Sequence, residues 1–228
     1  MEQALDAVVL NPSGQPAATV IWLHGLGADG HDFEPIVPEL RLPGSHRIRF
    51  IFPNAPRRPV TINAGLVMPA WYDVKYPDLR RDEDEEGIRD STKIVESIIA
   101  HEIALGTPAS RILLAGFSQG GAIALHCGLR HPQTLAGILA LSTYLPLPNR
   151  VQSEAHDANK GTPIFMVHGV ADAVVPHHQG WQSYTFLKGL GYPIAWRDYP
   201  MQHSVCPAEI ADISAWLQER FSDQQGSE

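Results

Sequence analysis

Residues Ile112–Gly121 read Ile-Leu-Leu-Ala-Gly-Phe-Ser-Gln-Gly-Gly, and this stretch decides the fold. An apolar, strand-like run ends at Gly116, and a helix-compatible run, Ala122–Leu129, follows directly. Ser118 stands between them in a G-x-S-x-G pattern, which predicts a sharp strand-to-helix turn that exposes the serine hydroxyl above a sheet. The backbone N–H of Gln119 would then open the helix, where it is free to bind a developing oxyanion. The stretch therefore predicts a serine nucleophile.

A second interpretation of this turn is a glycine-rich strand-to-helix connection, such as a phosphate loop, in which the serine is incidental. The turn fits neither G-x-x-x-x-G-K-[ST] nor G-x-G-x-x-G, the two spacings typical of nucleotide-phosphate loops. The nucleophile interpretation is therefore favoured. It requires a base and an acid elsewhere in the chain, because a serine hydroxyl is a weak nucleophile until its proton is removed.

The acid is predicted to be Asp172. In the α/β-hydrolase arrangement the acid and the histidine follow the serine in that order, and ligands bind at the carboxyl ends of the strands. Asp172 follows the strand-like run Pro163–Val167, in a loop with no other acid close by. The alternatives are less well placed, since Asp157 precedes that run and Asp198 lies inside the next one.

The base is predicted to be His203, which follows the last strand-like run, Ile194–Tyr199, and precedes the final helix. The chain has eleven histidines. Four of the others are expected in helix ends, in linkers or in structural positions: His101, His131, His156 and His168. His177 and His178 are adjacent, but no cluster of further ligands accompanies them, so no metal site is predicted.

Strand-like and helix-like runs alternate along the chain, which predicts a mostly parallel sheet with helices on both faces. Six runs are expected to be strands: Thr19–Leu23, Ile48–Phe52, Arg111–Ala115, Gly137–Leu141, Pro163–Val167 and Ile194–Tyr199. Amphipathic helical patterns cover Ile88–Leu105 and the stripe from Ile210 to Phe221. The length of 228 residues fits one domain, residues 1–228, with a polar tail from Ser222 to Glu228 that is expected to fray.

The composition limits the kinds of partner that the protein is expected to bind. The formal net charge is −8, which argues against broad contact with nucleic acid or an anionic membrane. No segment approaches the length of an apolar membrane span. The two cysteines do not make a disulfide framework, and the first residues show no secretory signal. The expectation is a cytoplasmic protein.

Two further segments are candidates for the site. His24-Gly-Leu-Gly27 follows the first strand-like run, and the backbone N–H of Leu26 is the best candidate for a second oxyanion donor, with His24 bracing the loop. The segment from Pro53 to Pro77 is rich in Pro and Gly but also carries apolar residues. Such a loop is either functional or packs its side chains on the core, and the pattern alone leaves both open.

Taken together, these residues resemble the carboxylesterase and acyl-protein thioesterase family of small α/β-hydrolases, from about residue 18 to 218. The matching segments are Leu23–Gly27, Phe52–Pro56, Met68–Asp73, Gly116–Gly121, Leu141–Pro146, His168–Asp172 and His203–Ser204. The segments Gly-Phe-Ser-Gln-Gly-Gly and Met-Pro-Ala-Trp-Tyr-Asp together are much more specific than the serine turn alone. The loop Gly169–Asp172 lacks a second acidic residue that is often found there, which leaves the choice of substrate less defined than the chemistry.

The resemblance implies a catalytic triad of Ser118, Asp172 and His203, with oxyanion donors from Leu26 and Gln119. It implies an acyl-chain groove beside the loop 61–74, for which we expect four contacts: Leu66, Val67, Met68 and Trp71. It also implies that no cofactor is needed. Some members of the family form dimers, so a homodimer is an alternative to a monomer.

We therefore expect a serine carboxylesterase that acts on short- to medium-chain acyl esters, and that extends to thioesters of acylated proteins or to lysophospholipids. Acyl-protein thioesterase as the main activity is the first alternative. A peptidase or lactone hydrolase of similar fold is another, which the apolar segment Leu66–Trp71 weakly disfavours. A non-catalytic binding protein of the same fold is an alternative of a different class, and it would normally have lost a member of the triad.

Overall fold

The computed structural model describes residues 6–222, and within them a seven-stranded sheet forms the centre of the molecule. The strands are β1 (Ala7–Leu10), β2 (Ala18–Leu23), β3 (Ile48–Pro53), β4 (Arg57–Val60), β5 (Leu66–Pro69), β6 (Ile112–Phe117), β7 (Gly137–Leu141), β8 (Ile164–Gly169) and β9 (Ile194–Tyr199). The helices are α1 (Ile36–Glu39), α2 (Glu85–Ala104), α3 (Gln119–Arg130), α4 (Val151–Glu154), α5 (His177–Gly189) and α6 (Pro207–Phe221). The strand order is β1-β3-β2-β6-β7-β8-β9.

All neighbours in this sheet are parallel except β1, which pairs antiparallel with β3. The six predicted strands are therefore confirmed, with bounds that differ by two residues at most. The sequence analysis missed three short strands: the edge strand β1, and the hairpin formed by β4 and β5 within the Pro- and Gly-rich segment. Because parallel strands end at the same edge, the loops after β2, β6, β8 and β9 meet there.

Helices cover both faces of the sheet, as predicted. One core joins α2, α3 and α5 to one face, through residues such as Ile98, Ile123 and Leu187. The second core joins α1 and α6 to the opposite face, through residues such as Ile36 and Leu217. Strands covered on both faces must be apolar throughout, which explains why their sequences read as continuous hydrophobic runs rather than alternating ones. This is the α/β-hydrolase fold.

The longest helix, α2, begins at the end of the acidic run that precedes it. The side chain of Asp84 caps it by accepting from the N–H of Gly87 at 3.0 Å, and Glu85 and Glu86 occupy the first turn, where the helix dipole favours negative charge. Within residues 6–222 no helix combines the length and the apolar character that a membrane crossing requires. Of the tail expected to fray, residues 223–228 lie outside the described residues, and the single-domain organisation stays a prediction.

Candidate active site

Ser118 lies between β6 and α3, and its backbone has a positive φ, which residues other than glycine rarely adopt. Its φ is 54° and its ψ is −119°, a conformation that costs about 1–3 kcal/mol and persists only where the surroundings impose it. Two hydrogen bonds impose it here. The N–H of Ser118 donates to the carbonyl of Leu141 at 2.9 Å, and the hydroxyl of Thr143 donates to the carbonyl of Ser118 at 2.6 Å. The turn thus has the geometry of a nucleophile elbow.

Glycines flank the elbow because the backbone passes too close for a side chain. A Cβ on Gly116 would lie 2.4 Å from the carbonyl carbon and oxygen of Gly120. A Cβ on Gly120 would lie 2.3 Å from the carbonyl oxygen of Leu23, and one on Gly121 would lie 2.8 Å from Thr143 Cγ2. Neither the strand end, the helix start nor the loop after β2 can move away without breaking the sheet. Glycine is therefore required at these three positions.

Asp172 and His203 form a hydrogen-bonded pair. Nδ1 of His203 donates to Oδ2 of Asp172 at 2.7 Å. The other carboxylate oxygen, Oδ1, accepts from the backbone N–H groups of Val174 and Val175, each at 2.9 Å. The Asp172 side chain is fully buried and that of His203 is mostly buried. Because Nδ1 carries the proton, Nε2 of His203 is left as the proton acceptor that a general base needs.

The surroundings hold Asp172 in its ionised form. Burial alone would raise the pKa of this carboxyl, but the nearby His168 ring and the hydrogen bonds from His203 and from the Val175 N–H lower it well below its usual range. His168 is itself buried, and its Nε2 donates to the Val175 carbonyl at 2.8 Å while lying 3.4 Å from Asp172 Oδ2. His168 therefore supports the acid loop, in line with its expected structural role.

The pair lies beside the elbow. The ring of His203 packs on the ring of Phe117, the residue before Ser118, with 4.6 Å between ring centroids. The structure thus brings the three predicted catalytic residues to one edge of the sheet, from the ends of β6, β8 and β9. Asp198, the alternative acid, instead pairs with His177 at 2.6 Å on the exposed side of β9.

The loop after β2 lies against the elbow, where a second oxyanion donor is needed. A Cβ on Gly25 would meet the ring of Phe117 at 3.4 Å and Ser118 Cβ at 3.5 Å. Leu26, the next residue, lines the same cleft as Ser118 and Gln119. Gln119 is the first residue of α3, so its N–H has no carbonyl acceptor one turn earlier in the helix.

His24 braces this loop, as expected. Its Nδ1 donates to the Gly25 carbonyl at 2.7 Å, and its Nε2 accepts from the Ala55 N–H at 3.0 Å. Burial lowers the pKa of the ring, although the bond to Gly25 acts in the opposite direction, and the neutral form is the one that this bonding pattern requires. Residues 25–30 also carry the spacing G-x-G-x-x-G, but α1 begins only at Ile36, so no helix N-terminus opens on the loop to bind a dinucleotide phosphate.

A cleft of about 450 Å³ opens at Ser118. Its walls come from the loop after β2, from the segment after β4, from the acid loop and from Tyr144. The lining residues are Leu26, Ile62, Asn63, Tyr72, Val74, Pro77, Leu79, Ser118, Gln119, Tyr144, Ala173, Val174, Val175 and Pro176. Most of these side chains are apolar and a few are polar, an arrangement typical of a small-molecule site.

None of the four predicted acyl contacts lines this cleft. Leu66 and Val67 lie on β5 and are 65% and 56% exposed. Met68 packs beside Gly27, where its Sδ would be 3.6 Å from a Cβ. Trp71 is fully buried, and its indole N–H donates to the His24 carbonyl at 2.9 Å. The structure therefore corrects this part of the prediction, because the β4–β5 hairpin stands apart from the main sheet and leaves Leu66 and Val67 exposed, while Trp71 turns into the core.

The cleft residues that the sequence analysis missed come from two places. Val174, Val175 and Pro176 directly follow the acid, and an apolar run at the carboxyl end of a strand was a signal that could have found them. Tyr72 and Tyr144 lie within the segments that carried the family resemblance, but nothing in their spacing shows that they share a wall. Only the packing of the loop against the strand ends brings them together.

The chain was compared with families and with known proteins. The phospholipase/carboxylesterase family matches residues 4–220. Acyl-protein thioesterase 1 of Gibberella zeae is 41% identical over 223 residues, which cover 94% of this chain and 95% of that protein. Acyl-protein thioesterase 1 of Neurospora crassa is 44% identical over 213 residues, which cover 90% of this chain and 87% of that protein.

Solved structures give the same result. The crystal structure of Arabidopsis thaliana SOBER1 superposes with a TM-score of 0.85 at 35% identity, over 90% of this chain and 99% of that one. Acyl-protein thioesterase 2 of Zea mays superposes with a TM-score of 0.83 at 30% identity, over 95% of this chain and 99% of that one. The chain therefore belongs to the phospholipase/carboxylesterase family of α/β-hydrolases and is a serine hydrolase of the carboxylesterase and thioesterase class.

Proposed function

We propose that Ser118, His203 and Asp172 are the catalytic triad of this hydrolase and that the N–H groups of Leu26 and Gln119 form its oxyanion hole. The observation that carries the proposal is the 2.7 Å bond from His203 Nδ1 to the buried Asp172 carboxylate, beside a serine in a strained turn. A buried, ionised carboxylate fixes the tautomer of the histidine, so that Nε2 is free to accept the proton of the serine.

The reaction follows in two halves. Nε2 of His203 takes the hydroxyl proton as Ser118 Oγ attacks the acyl carbonyl, and the negative charge that forms on the carbonyl oxygen is held by the two backbone N–H groups. The imidazolium, stabilised by Asp172, then gives its proton to the leaving alcohol or thiol, and an acyl-enzyme remains. Water, deprotonated by the same nitrogen, attacks this ester, and the acid leaves as Ser118 regains its proton.

The substrate class in this proposal is an acyl ester or thioester with a short to medium chain. The apolar walls of the cleft support an acyl group there, and the relatives named acyl-protein thioesterase support a thioester of an acylated protein as a substrate. Carboxylic esters and lysophospholipids share the same acyl carbonyl chemistry. A peptide bond is disfavoured, because the walls described here offer few groups that could pair with a peptide backbone.

Replacement of the nucleophile tests the proposal. Ser118→Ala is expected to lower kcat for p-nitrophenyl butyrate and for an S-octanoyl peptide by several orders of magnitude, on the scale of ~10⁶ for serine triads. The matched control is Ser97→Ala on the exposed face of α2, which should keep wild-type rates. Hydrolysis by folded Ser118→Ala at a rate close to that of the control would contradict the assignment.

Three properties complete the proposal. The chain acts as one domain over residues 1–228, it works in the cytoplasm, and it is able to form a homodimer. Both cysteines are free, Cys127 in the core and Cys206 half-buried, which supports a reducing compartment. Sedimentation of the purified chain at several concentrations measures its oligomeric state, and a single monomeric species throughout would contradict the dimer.

A further inference from the structure

Two tyrosines place a hydrogen-bonding group on the apolar wall of the cleft. Tyr72 and Tyr144 both line it, and both are buried, at 3% and 2% exposure. Their hydroxyl oxygens lie 3.0 Å apart, so one hydroxyl donates to the other. Most of the remaining wall is aliphatic, with Leu26, Val74 and Leu79 among its members. Besides Asn63, Ser118 and Gln119, the pair of tyrosines is therefore the polar part of a lining otherwise suited to an alkyl chain.

Both tyrosines are held by residues that bond to the nucleophile elbow. The side-chain amide of Gln119, the residue after Ser118, donates to the Tyr72 carbonyl at 2.7 Å and accepts from the Trp71 N–H at 2.8 Å. Tyr144 follows Thr143, whose hydroxyl donates to the Ser118 carbonyl. The two phenol groups are thus positioned relative to the reacting serine by short, buried connections rather than by a mobile loop.

One donor of the pair makes only a long hydrogen bond. Two hydroxyls carry two protons, and one proton lies in the bond between them. The carbonyl of Leu79 lies 3.5 Å from the Tyr144 hydroxyl, well beyond the 2.7–2.8 Å at which hydroxyl bonds are usually made. Burial raises the pKa of both phenols, as does the nearby Glu83 carboxyl, so both protons are retained. One O–H donor is left without a close acceptor.

We infer that the Tyr72–Tyr144 pair selects acyl groups that carry a hydrogen-bond acceptor oxygen within the chain over unbranched alkyl acyl groups of the same length. An alkyl chain packed against the pair leaves this donor without a good partner. An acyl chain with an oxygen at the matching position accepts from that donor. The inference rests on the proposed function, since it assigns the substrate class of the same cleft.

An ether scan tests the inference. The substrates are p-nitrophenyl octanoate and a series of esters in which an ether oxygen replaces one methylene at each successive position of the chain. The enzymes are the wild type and Tyr72→Phe/Tyr144→Phe, which removes both hydroxyls and leaves two rings in contact. The double variant is needed because either hydroxyl, left alone, would still be a free donor. Replacing both partners of a buried bond by apolar groups of the same shape is well tolerated.

For each enzyme, kcat/KM for the ether ester is divided by kcat/KM for octanoate. The measured quantity is this ratio in the wild type divided by the same ratio in the double variant. This division cancels the intrinsic reactivity of each ester and the cost of removing its ether oxygen from water. At one position, or two adjacent ones, the quotient is expected to be about ten, the effect of a single hydrogen bond. Tyr192→Phe, a buried tyrosine outside the cleft, is the matched control and should give wild-type ratios.

Each outcome decides one question. A quotient near one at every position overturns the inference, because the hydroxyls would then make no distinction between the chains. A preference for ethers that persists in the double variant overturns it as well. If the folded wild type hydrolyses none of the esters, the proposed function fails instead. Melting midpoints of all three proteins within a few degrees establish that the variants are folded.

Discussion

Two regions meet at the cleft and are held in different ways. The catalytic edge, formed by the elbow at Ser118 and the loops of Asp172 and His203, is fixed by close backbone contacts and buried hydrogen bonds. The hairpin segment, residues 57–77, leaves Leu66 and Val67 largely exposed and turns Trp71 into the core. The catalytic residues thus stand on closely packed backbone. The apolar residues of the hairpin segment are instead divided between the exposed surface and the core.

Among changes that keep the serine nucleophile, the largest effect is expected at the catalytic edge from Asp172→Asn. The new amide keeps an acceptor for the Val174 and Val175 N–H groups but turns a donor towards His203 Nδ1–H, so the ring adopts the wrong tautomer. We expect kcat for p-nitrophenyl butyrate to fall by about 10⁴-fold. Asp198→Asn is the matched control, since Asp198 makes an equally short bond to His177 away from the cleft. Equal activity of the two variants would show that the buried pair is not catalytic.

The close approach of backbone at the elbow is tested by Gly120→Ala. The added Cβ would lie 2.3 Å from the Leu23 carbonyl oxygen and 2.5 Å from that of His24, and neither can give way. We expect a loss of about 3 kcal/mol or more in the free energy of unfolding, measured in urea. Gly189→Ala, at the end of α5 where a Cβ meets nothing within 4 Å, should instead be neutral or slightly stabilising. Similar midpoints for both variants would refute the packing argument.

A buried carboxyl next to the catalytic edge predicts a pH dependence. Glu209 lies in the first turn of α6, and burial raises its pKa to about 8 from 4.5, although its bond from the Cys206 N–H acts in the opposite direction. Between these values the unfolded chain loses the proton while the native state keeps it, so stability falls as the pH rises. The wild type should therefore lose about 1–3 kcal/mol more unfolding free energy than Glu209→Gln between pH 5 and 8. Parallel curves for the two proteins would contradict this.

The smallest effect concerns the hairpin segment. Trp71→Phe removes the indole N–H and leaves the buried His24 carbonyl without that donor, so the free energy of unfolding should fall by about 1–2 kcal/mol. Leu66→Ser, on the exposed face of β5, should change it by less than about 0.5 kcal/mol. Neither change is expected to alter the preference among C4–C8 esters. A selective loss of activity towards the longer chains in Trp71→Phe would restore the original interpretation of Trp71 as an acyl contact.

The central strands could be predicted because strands covered on both faces are continuously apolar, and Gly137–Leu141 matches the structure in both bounds. The edge strand Ile194–Tyr199 also matches in both bounds, although it carries exposed polar residues. The carboxylate and histidine of the proposed triad could be named because parallel strands end at one edge. The β4–β5 hairpin could not be predicted, since Pro59 and Pro69 argue against strands and are tolerated only because the pair stands apart from the main sheet.

The sequence also did not show which apolar residues of the hairpin segment are buried and which are exposed. Trp71 and Leu66 are both large and apolar and lie five residues apart, yet one is fully buried and the other is 65% exposed. Which of them is buried depends on how the segment crosses the ends of β2 and β6, and Gln119 fixes that crossing through its bonds to Trp71 and Tyr72. This is a tertiary contact between residues about 47 positions apart, and no local pattern encodes it.

The most direct test of the account is to ask which serine is activated. The wild type, treated with a fluorophosphonate probe and mapped by peptide mass spectrometry, should carry one phosphonyl group, on Ser118. The adduct should persist in Ser204→Ala, next to the proposed base, and should form far more slowly in His203→Gln, because the serine then lacks its proton acceptor. An adduct on another serine, or equally fast labelling in His203→Gln, would contradict the claim that Asp172 and His203 activate Ser118.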